Sequence, residues 1–223
     1  MSLIATDNKS IVVGLGITGL SCVRYLKSKG HNVVVVDSRA KPPGLDVCNA
    51  EFPDVPVYCG EFDIDLLSSA SQLVVSPGVP VSDPTIKEAL SRGVNLTGDV
   101  DLFSQVANAP VIAITGSNGK STVTTLLADM AEYAGVNVAV GGNLGTPVLD
   151  LLDENVELYV IELSSFQLET TQQLNALAAT ILNISEDHMD RYSSKLAYLQ
   201  AKQKVFQGCR YVIVNDDDVL SQP

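Results

Sequence analysis

The chain has 223 residues, 46% of them hydrophobic and 18% charged, with a formal net charge of −12 at pH 7. That length suits one large domain or two of ordinary size, at roughly 100–200 residues each, and the apolar fraction supplies a packed core and excludes a disordered chain. So acidic a surface repels nucleic-acid backbones, no apolar run nears the roughly 20 residues that span a bilayer, and Met1-Ser2-Leu3-Ile4 opens no signal peptide.

A cytoplasmic, monomeric protein with no nucleic-acid and no membrane partner is therefore expected. Nucleotides stay possible, because phosphate sites rely on local amides, Lys and Mg²⁺ rather than on global charge. Cys22, Cys48, Cys59 and Cys209 form no C-x-x-C pair, so they read as idle or buried thiols rather than as zinc or redox ligands.

Strand-like and helical patterns alternate along the chain, the mark of α/β architecture with a largely parallel sheet. Ser10 to Val13 is the first strand. A glycine turn follows, then helical spacing in Leu20, Val23, Leu26 and Lys27, closed by Gly30. Val33 to Val36 is the next strand. Leu73 to Val75, the Pro77-Gly78 turn and a helix around Asp83 to Ser91 make a further unit that ends at Gly93.

A second block begins near residue 99. It holds a strand at Val111 to Ile114, a glycine loop and a helix from about Lys120 to Tyr133. Further strands are expected at Val136 to Val140, Leu158 to Ile161, Ala178 to Leu182 and Tyr211 to Val214, with a helix over Ser194 to Phe206. The pattern predicts two α/β domains: a Rossmann-like domain over residues 1–98 and a P-loop α/β domain over 99–223. The chain stops at Pro223, just past a strand and the turn Asp216-Asp217-Asp218. A terminal parallel strand with no closing element leaves a pairing edge, so this is expected to be the front part of a longer protein whose second domain is incomplete.

Two glycine loops carry the chemistry. Gly14-Leu15-Gly16-Ile17-Thr18-Gly19 follows a strand and opens a helix, with Asp37 ending the next strand 18 residues on. In a dinucleotide fold, such glycines allow a tight turn, approach to a diphosphate and close helix packing, while the acid meets a ribose. With Asp37 the loop favours nucleotide binding over a plain tight turn, and it leaves open whether the ligand is NAD or another diphosphate. Thr115-Gly116-Ser117-Asn118-Gly119-Lys120-Ser121-Thr122 is more specific. The backbone of Gly116, Ser117, Asn118 and Gly119 would cradle ATP phosphates, Lys120 would reach the β- and γ-phosphates, and the hydroxyl of Ser121 or of Thr122 would ligate Mg²⁺. Ile114 stands where the usual pattern has its first glycine.

This second loop resembles the ATP loop of the Mur ligase and folylpolyglutamate synthase superfamily. Three later segments resemble that superfamily in the same order: Gly141-Gly142-Asn143-Leu144-Gly145, Glu162-Leu163-Ser164-Ser165-Phe166-Gln167-Leu168, and Asn183-Ile184-Ser185-Glu186-Asp187-His188-Met189-Asp190-Arg191. The last two, with the first glycine loop and Asp37-Ser38-Arg39, are most similar to the D-glutamate-adding branch of the Mur ligases.

The resemblance covers essentially the whole chain. It implies a three-domain, ATP-dependent ligase that joins D-glutamate to UDP-N-acetylmuramoyl-L-alanine through an acyl phosphate, with two Mg²⁺ sites. It further implies Lys120, His188 and Lys202 as catalytic residues, Lys202 being carbamoylated, with Lys195 and Lys204 nearby. Ser121, Thr122, Glu162, His188 and the modified Lys202 are the implied metal ligands. Ile17, Thr18, Asp37, Ser38, Arg39 and Gly78 are implied to hold the UDP group, and Asn143 and Ser164 the rest of the substrate. A capping serine is the rival reading of Ser164. The segments that would hold adenine and D-glutamate lie outside the 223 residues, so the fragment alone is expected to be inactive. An NAD oxidoreductase explains only the first loop and a P-loop switch only the second, while a non-catalytic UDP-sugar-binding module remains open.

Overall fold

The computed structural model describes residues 9–223, which divide into two compact units, Met1–Asp99 and Val100–Pro223.

In the first unit the elements are β1 (Lys9–Val13), α1 (Ile17–Ser28), β2 (Asn32–Asp37), α2 (Leu45–Glu51), β3 (Val57–Cys59), α3 (Ile64–Ser68), β4 (Gln72–Val75), α4 (Pro84–Ser91) and β5 (Asn95–Thr97). All pairings are parallel, in the order β3-β2-β1-β4-β5. Ile11, Val13, Val34, Val36, Leu73 and Val75 pack one face of the sheet against Leu67 and Ile86. Val12, Val35 and Val74 on the alternate positions are equally buried. Burial on both faces is why these strands read as continuous apolar runs rather than alternating ones. Asp83 caps α4 by accepting from the amides of Thr85 and Ile86, with Pro84 in the first turn.

The second unit contains α5 (Asp99–Ser104), β6 (Val111–Thr115), α6 (Lys120–Tyr133), β7 (Val138–Gly142), β8 (Leu158–Glu162), α7 (Ser165–Thr170), β9 (Ala178–Ile181), α8 (Lys195–Gln203) and β10 (Tyr211–Ile213), with short 3₁₀ turns at Val148–Leu151, Lys204–Phe206 and Val219–Ser221. Its five parallel strands run in the order β10-β9-β6-β8-β7. The strand expected at 136–140 begins two residues later. The Val136 amide donates to the Ala131 carbonyl at 3.1 Å and closes α6, so pairing starts only beyond it. The helix expected over 194–206 is α8 and a 3₁₀ turn, with Ser194 capping it by accepting from the Ala197 amide. Three-residue outer strands such as β3 and β5, and the short helices α2, α3, α5 and α7, escape the pattern, because so few residues carry no periodicity.

Candidate functional site

In both units the glycine loops sit at the carboxyl ends of the strands, where parallel sheets build their sites. In the first unit the loop after β1 and the Ser76-Pro77-Gly78-Val79 turn after β4 face each other across the switch in strand order. They enclose a cavity of about 330 Å³ whose lining includes Ile17, Thr18, Asp37, Ser38, Arg39 and Gly78. Gly19 is required by close packing: a Cβ there would stand 1.9 Å from the Gly14 carbonyl oxygen. Ser76, whose hydroxyl donates to the same carbonyl at 2.8 Å, ties the two loops together.

Asp37 is buried, and its carboxylate accepts from the Leu15 amide (2.7 Å), the Arg39 amide (2.9 Å), Arg39 Nε (2.8 Å) and Arg39 Nη2 (2.6 Å). Burial alone would raise its pKa. The Arg39 side chain and the two amides overcome this and hold the carboxyl below its ordinary value. Four donors fill the roughly four lone-pair positions of a carboxylate, so this acid fixes the glycine loop and offers no free acceptor to a ribose. Arg39 in turn has committed its Nε–Nη2 edge to Asp37. Its half-exposed side chain is part of the cavity lining.

In the second unit the residues of the P-loop, of Glu162 and of the loop after β9 come together. Glu162 ends β8, is 1% exposed and lies in register with Ile114, the residue before the loop-bearing end of β6. Ser121 Oγ donates to its Oε2 and Asn143 Nδ2 to its Oε1, both at 2.7 Å. Gly142 allows the ends of β7 and β8 to approach closely, because a Cβ there would lie 2.3 Å from the Glu162 carbonyl oxygen. That carbonyl accepts from the Asn143 amide at 2.8 Å. Thr122 is exposed on the first turn of α6.

The P-loop is braced from β9. Asn183 accepts from the Ser117 amide through its carbonyl and from the Asn118 amide through its side chain, both at 2.9 Å. Ser117 Oγ meets Tyr198 OH at 3.0 Å and accepts from the Ser185 amide at the same distance. Two loop amides are thus used internally. Those of Gly119 to Thr122, at the amino end of the 14-residue α6, are left pointing along the helix axis, where an anion is favoured. Lys120 curls back, its Nζ donating to the Ser117 carbonyl at 3.0 Å.

Lys202 is 2% exposed, and its Nζ donates to the Gly116 carbonyl (2.9 Å) and to Thr115 Oγ1 (3.2 Å). Burial, and next the charge of Lys120, lower its pKa to about 7. Its neighbours on the same stretch are placed otherwise: Lys195 is exposed, and Lys204 donates to the Glu169 carbonyl at 2.6 Å. His188 lies beyond β9 with a left-handed φ of 55° and a side chain 43% exposed. Its ring packs 4.7 Å from that of Phe166. Ser164 is the N-cap of α7 in a capping box with Gln167, the rival reading raised for it. Asn183, Tyr198 and Gln167 carry parts of this arrangement without having been singled out. Gln167 and Asn183 lie in the segments that carry the family resemblance, and Tyr198, within α8, carried no signal of its own.

A glycine loop opening a helix with Lys-Ser-Thr in its first turn, beside a buried strand-end carboxylate, defines a P-loop nucleotide-binding domain, here preceded by a Rossmann-like one. The chain belongs to the Mur ligase family. Residues 8–98 match the Mur ligase MurD-like N-terminal domain and residues 114–222 the Mur ligase middle domain, which binds ATP. Over all 223 residues the chain is 60% identical to the UDP-N-acetylmuramoylalanine--D-glutamate ligases of Marinobacter nauticus and Hahella chejuensis, and it covers 50% of each. It spans about half the length of the curated relatives it matches. Among solved structures, a UDP-N-acetylmuramate:L-alanyl-gamma-D-glutamyl-meso-diaminopimelate ligase from Neisseria meningitides shares the fold, with a TM-score of 0.61 at 18% identity, over 96% of this chain and 73% of that one. Among the described residues no helix is long and apolar enough to cross a membrane.

Proposed function

We propose that these residues are the UDP-substrate and ATP-binding front half of a ligase that joins D-glutamate to UDP-N-acetylmuramoyl-L-alanine. The observation that carries the reading is the pairing of Ser121 with the buried Glu162 beside a P-loop lysine, in a chain 60% identical throughout to ligases of that name.

The substrate carboxylate attacks the γ-phosphorus of ATP, ADP leaves, and the acyl phosphate so formed is attacked by the amine of D-glutamate. Phosphate then departs and an amide remains. Crowded oxyanions dominate each stage, so positive charge and fixed donors are the natural tools. Lys120 turns from the Ser117 carbonyl to the phosphates. The amino end of α6 receives them. Asn143 and Ser164 orient the acyl end of the substrate. In the first unit Arg39 and the Thr18 and Ser38 hydroxyls hold the UDP group, with Ile17 and Gly78 shaping the cavity, while Asp37 keeps the loop in form.

Among the described residues there is no group of three or more His, Cys, Asp or Glu side chains placed to hold a metal. Mg²⁺ seldom uses such cages. It takes one or two carboxylates together with substrate phosphates, and the adjoining Glu162 carboxylate and Ser121 hydroxyl fit that habit. Ser121 is thus favoured over Thr122, with His188 and a modified Lys202 serving a second ion. When bound, Mg²⁺ supplies charge neutralisation at the phosphoryl oxygens.

Carbamoylation of Lys202 is supported by its burial and lowered pKa. The neutral amine attacks CO₂, an N–C bond forms, one proton leaves to solvent, and an anionic oxygen ligand replaces a cation.

Calorimetric titration with UDP-N-acetylmuramoyl-L-alanine, using NADH as control, tests the first unit. Saturable binding of the UDP ligand alone is expected, and binding of NADH alone would overturn the reading. For the whole activity, ADP release dependent on D-glutamate is expected from a chain of the relatives' length and not from residues 1–223 alone.

A further inference from the structure

Outside the contacts already described, one cluster around the loop after β9 is unused by the proposed chemistry. Glu169, on α7, pairs with Arg191 Nη2 at 2.7 Å, and both side chains are largely buried at 13% and 12% exposure. The guanidinium lies over the ring of Phe166, its carbon 4.1 Å from the centroid. The same ring packs against the His188 imidazole at 4.7 Å, tilted by 48°. Tyr192 stacks more loosely on Phe166, at 6.1 Å and 25°. The main chain repeats the connection, since the Arg191 and Tyr192 amides donate to the His188 carbonyl at 2.9 and 3.1 Å.

His188 needs such support. It sits between β9 and α8 in a stretch without helix or strand, and its φ of 55° is unfavourable for a residue with a Cβ. Among the described residues its ring has no buried polar partner. The nearest carboxylate is Asp187 at 3.5 Å, itself 41% exposed.

We propose that Phe166, clamped by the Glu169–Arg191 ion pair, is the platform that sets the His188 imidazole, which makes Phe166 and Arg191 positioning residues for that histidine. Dispersion and quadrupole interactions with the ring fix its tilt. The guanidinium, desolvated on the ring and neutralised by Glu169, keeps the ring from swinging away. A planar cation is suited to this because it stacks while its edge still pairs with a carboxylate. The inference rests on the proposed role of His188 in the ligase reaction.

The test uses the complete chain, at the relatives' length, with Phe166→Leu, Phe166→Tyr and Arg191→Met variants. The His188 ring protons, assigned by difference from His188→Gln, report the ring-current shift of a stacked Phe. Steady-state kinetics are read alongside. Phe166→Leu and Arg191→Met are expected to lose the ring-current shift. They should also lower kcat by about 10- to 100-fold, the scale of a misplaced group, with KM for ATP held within about twofold. Phe166→Tyr keeps the ring and should keep both properties.

A His188 signal that keeps its wild-type, ring-shifted position in Phe166→Leu or Arg191→Met overturns the proposal. So does an equal loss of kcat in Phe166→Leu and Phe166→Tyr, because the tyrosine variant keeps the ring that the platform requires. If Arg191→Met fails to fold, the Leu and Tyr pair still decides. Wild-type turnover by His188→Gln would instead remove the role given to His188, while the spectra would still judge the platform.

Discussion

The two units solve one structural problem in two ways. Each is a parallel five-stranded sheet whose first strand ends in a glycine loop, and each brings the acid at the end of a neighbouring strand to that loop. In the first unit the neighbour is β2, and its Asp37 takes the Leu15 amide and then Arg39. In the second, β8 is inserted between β6 and β7, and its Glu162 takes the Ser121 hydroxyl and the Asn143 amide group. The order β3-β2-β1-β4-β5 keeps consecutive strands adjacent at the loop, whereas β10-β9-β6-β8-β7 delivers a residue from farther along the chain. The outcome differs in chemistry. Asp37 is saturated by donors from its own unit and braces the loop that lines the cavity. Glu162 holds only a hydroxyl and a side-chain amide, both neutral partners.

That contrast predicts that damage to the second unit stops turnover while damage to the first loosens binding. The largest effect should come from Lys120→Met in the complete chain. Loss of one charge-stabilising donor costs about 10²–10³ in kcat. The affinity of the first unit for the UDP ligand should stay at its wild-type value in calorimetry, and a parallel loss of both would erase the distinction between the units.

Next in size is the acid that holds the first loop. Asp37→Asn weakens hydrogen bonds to a charged group worth about 1.5–3 kcal/mol in general, seen as a lower urea midpoint for residues 1–223. Asp37 has a lowered pKa in the folded chain. Its stabilisation is therefore present above the unfolded carboxyl value and is lost as pH falls through the folded one. The variant should show a shallower acid limb, and an unchanged limb would mean that Arg39 contributes nothing through Asp37.

The smallest effect sharpens the second unit. Folded Lys202 titrates near 7, against 10.5 for a free side chain. The unfolded chain therefore binds more protons between those values, and stability must rise with pH across that window. Below it, both states are charged and the cost of burying the cation is complete. In CO₂-free buffer, urea unfolding at about pH 6 and about pH 9 should show this rise, and Lys202→Met should remove it. Adding ¹³C-bicarbonate should give a carbamate resonance in the wild type and none in the variant. Its absence from both would leave Lys202 an amine that braces Gly116.

Much of this was legible in the sequence. Local rules placed the long strands, α1, α6 and both glycine loops, because runs of Val and Ile buried on both faces and glycines at strand ends are short-range signals. The glycine loop Thr115 to Thr122 was readable for the same reason, because its residues are neighbours in sequence. The resemblance of the later segments supplied Glu162, His188 and Lys202 as candidates, but not their surroundings. Only the tertiary structure decided that Asp37 is occupied by Leu15 and Arg39, that Ser121 rather than Thr122 meets Glu162, and that Lys202 is buried behind the P-loop while Lys195 faces outward. It also decided that Phe166 lies against His188 and the Arg191 guanidinium against Phe166. The contacts of Leu15 with Asp37, Ser121 with Glu162, Gly116 with Lys202 and Phe166 with His188 join residues 22 to 86 positions apart through the order of strands in a sheet. Strand order depends on which crossovers pack together, and no local pattern of residues specifies that.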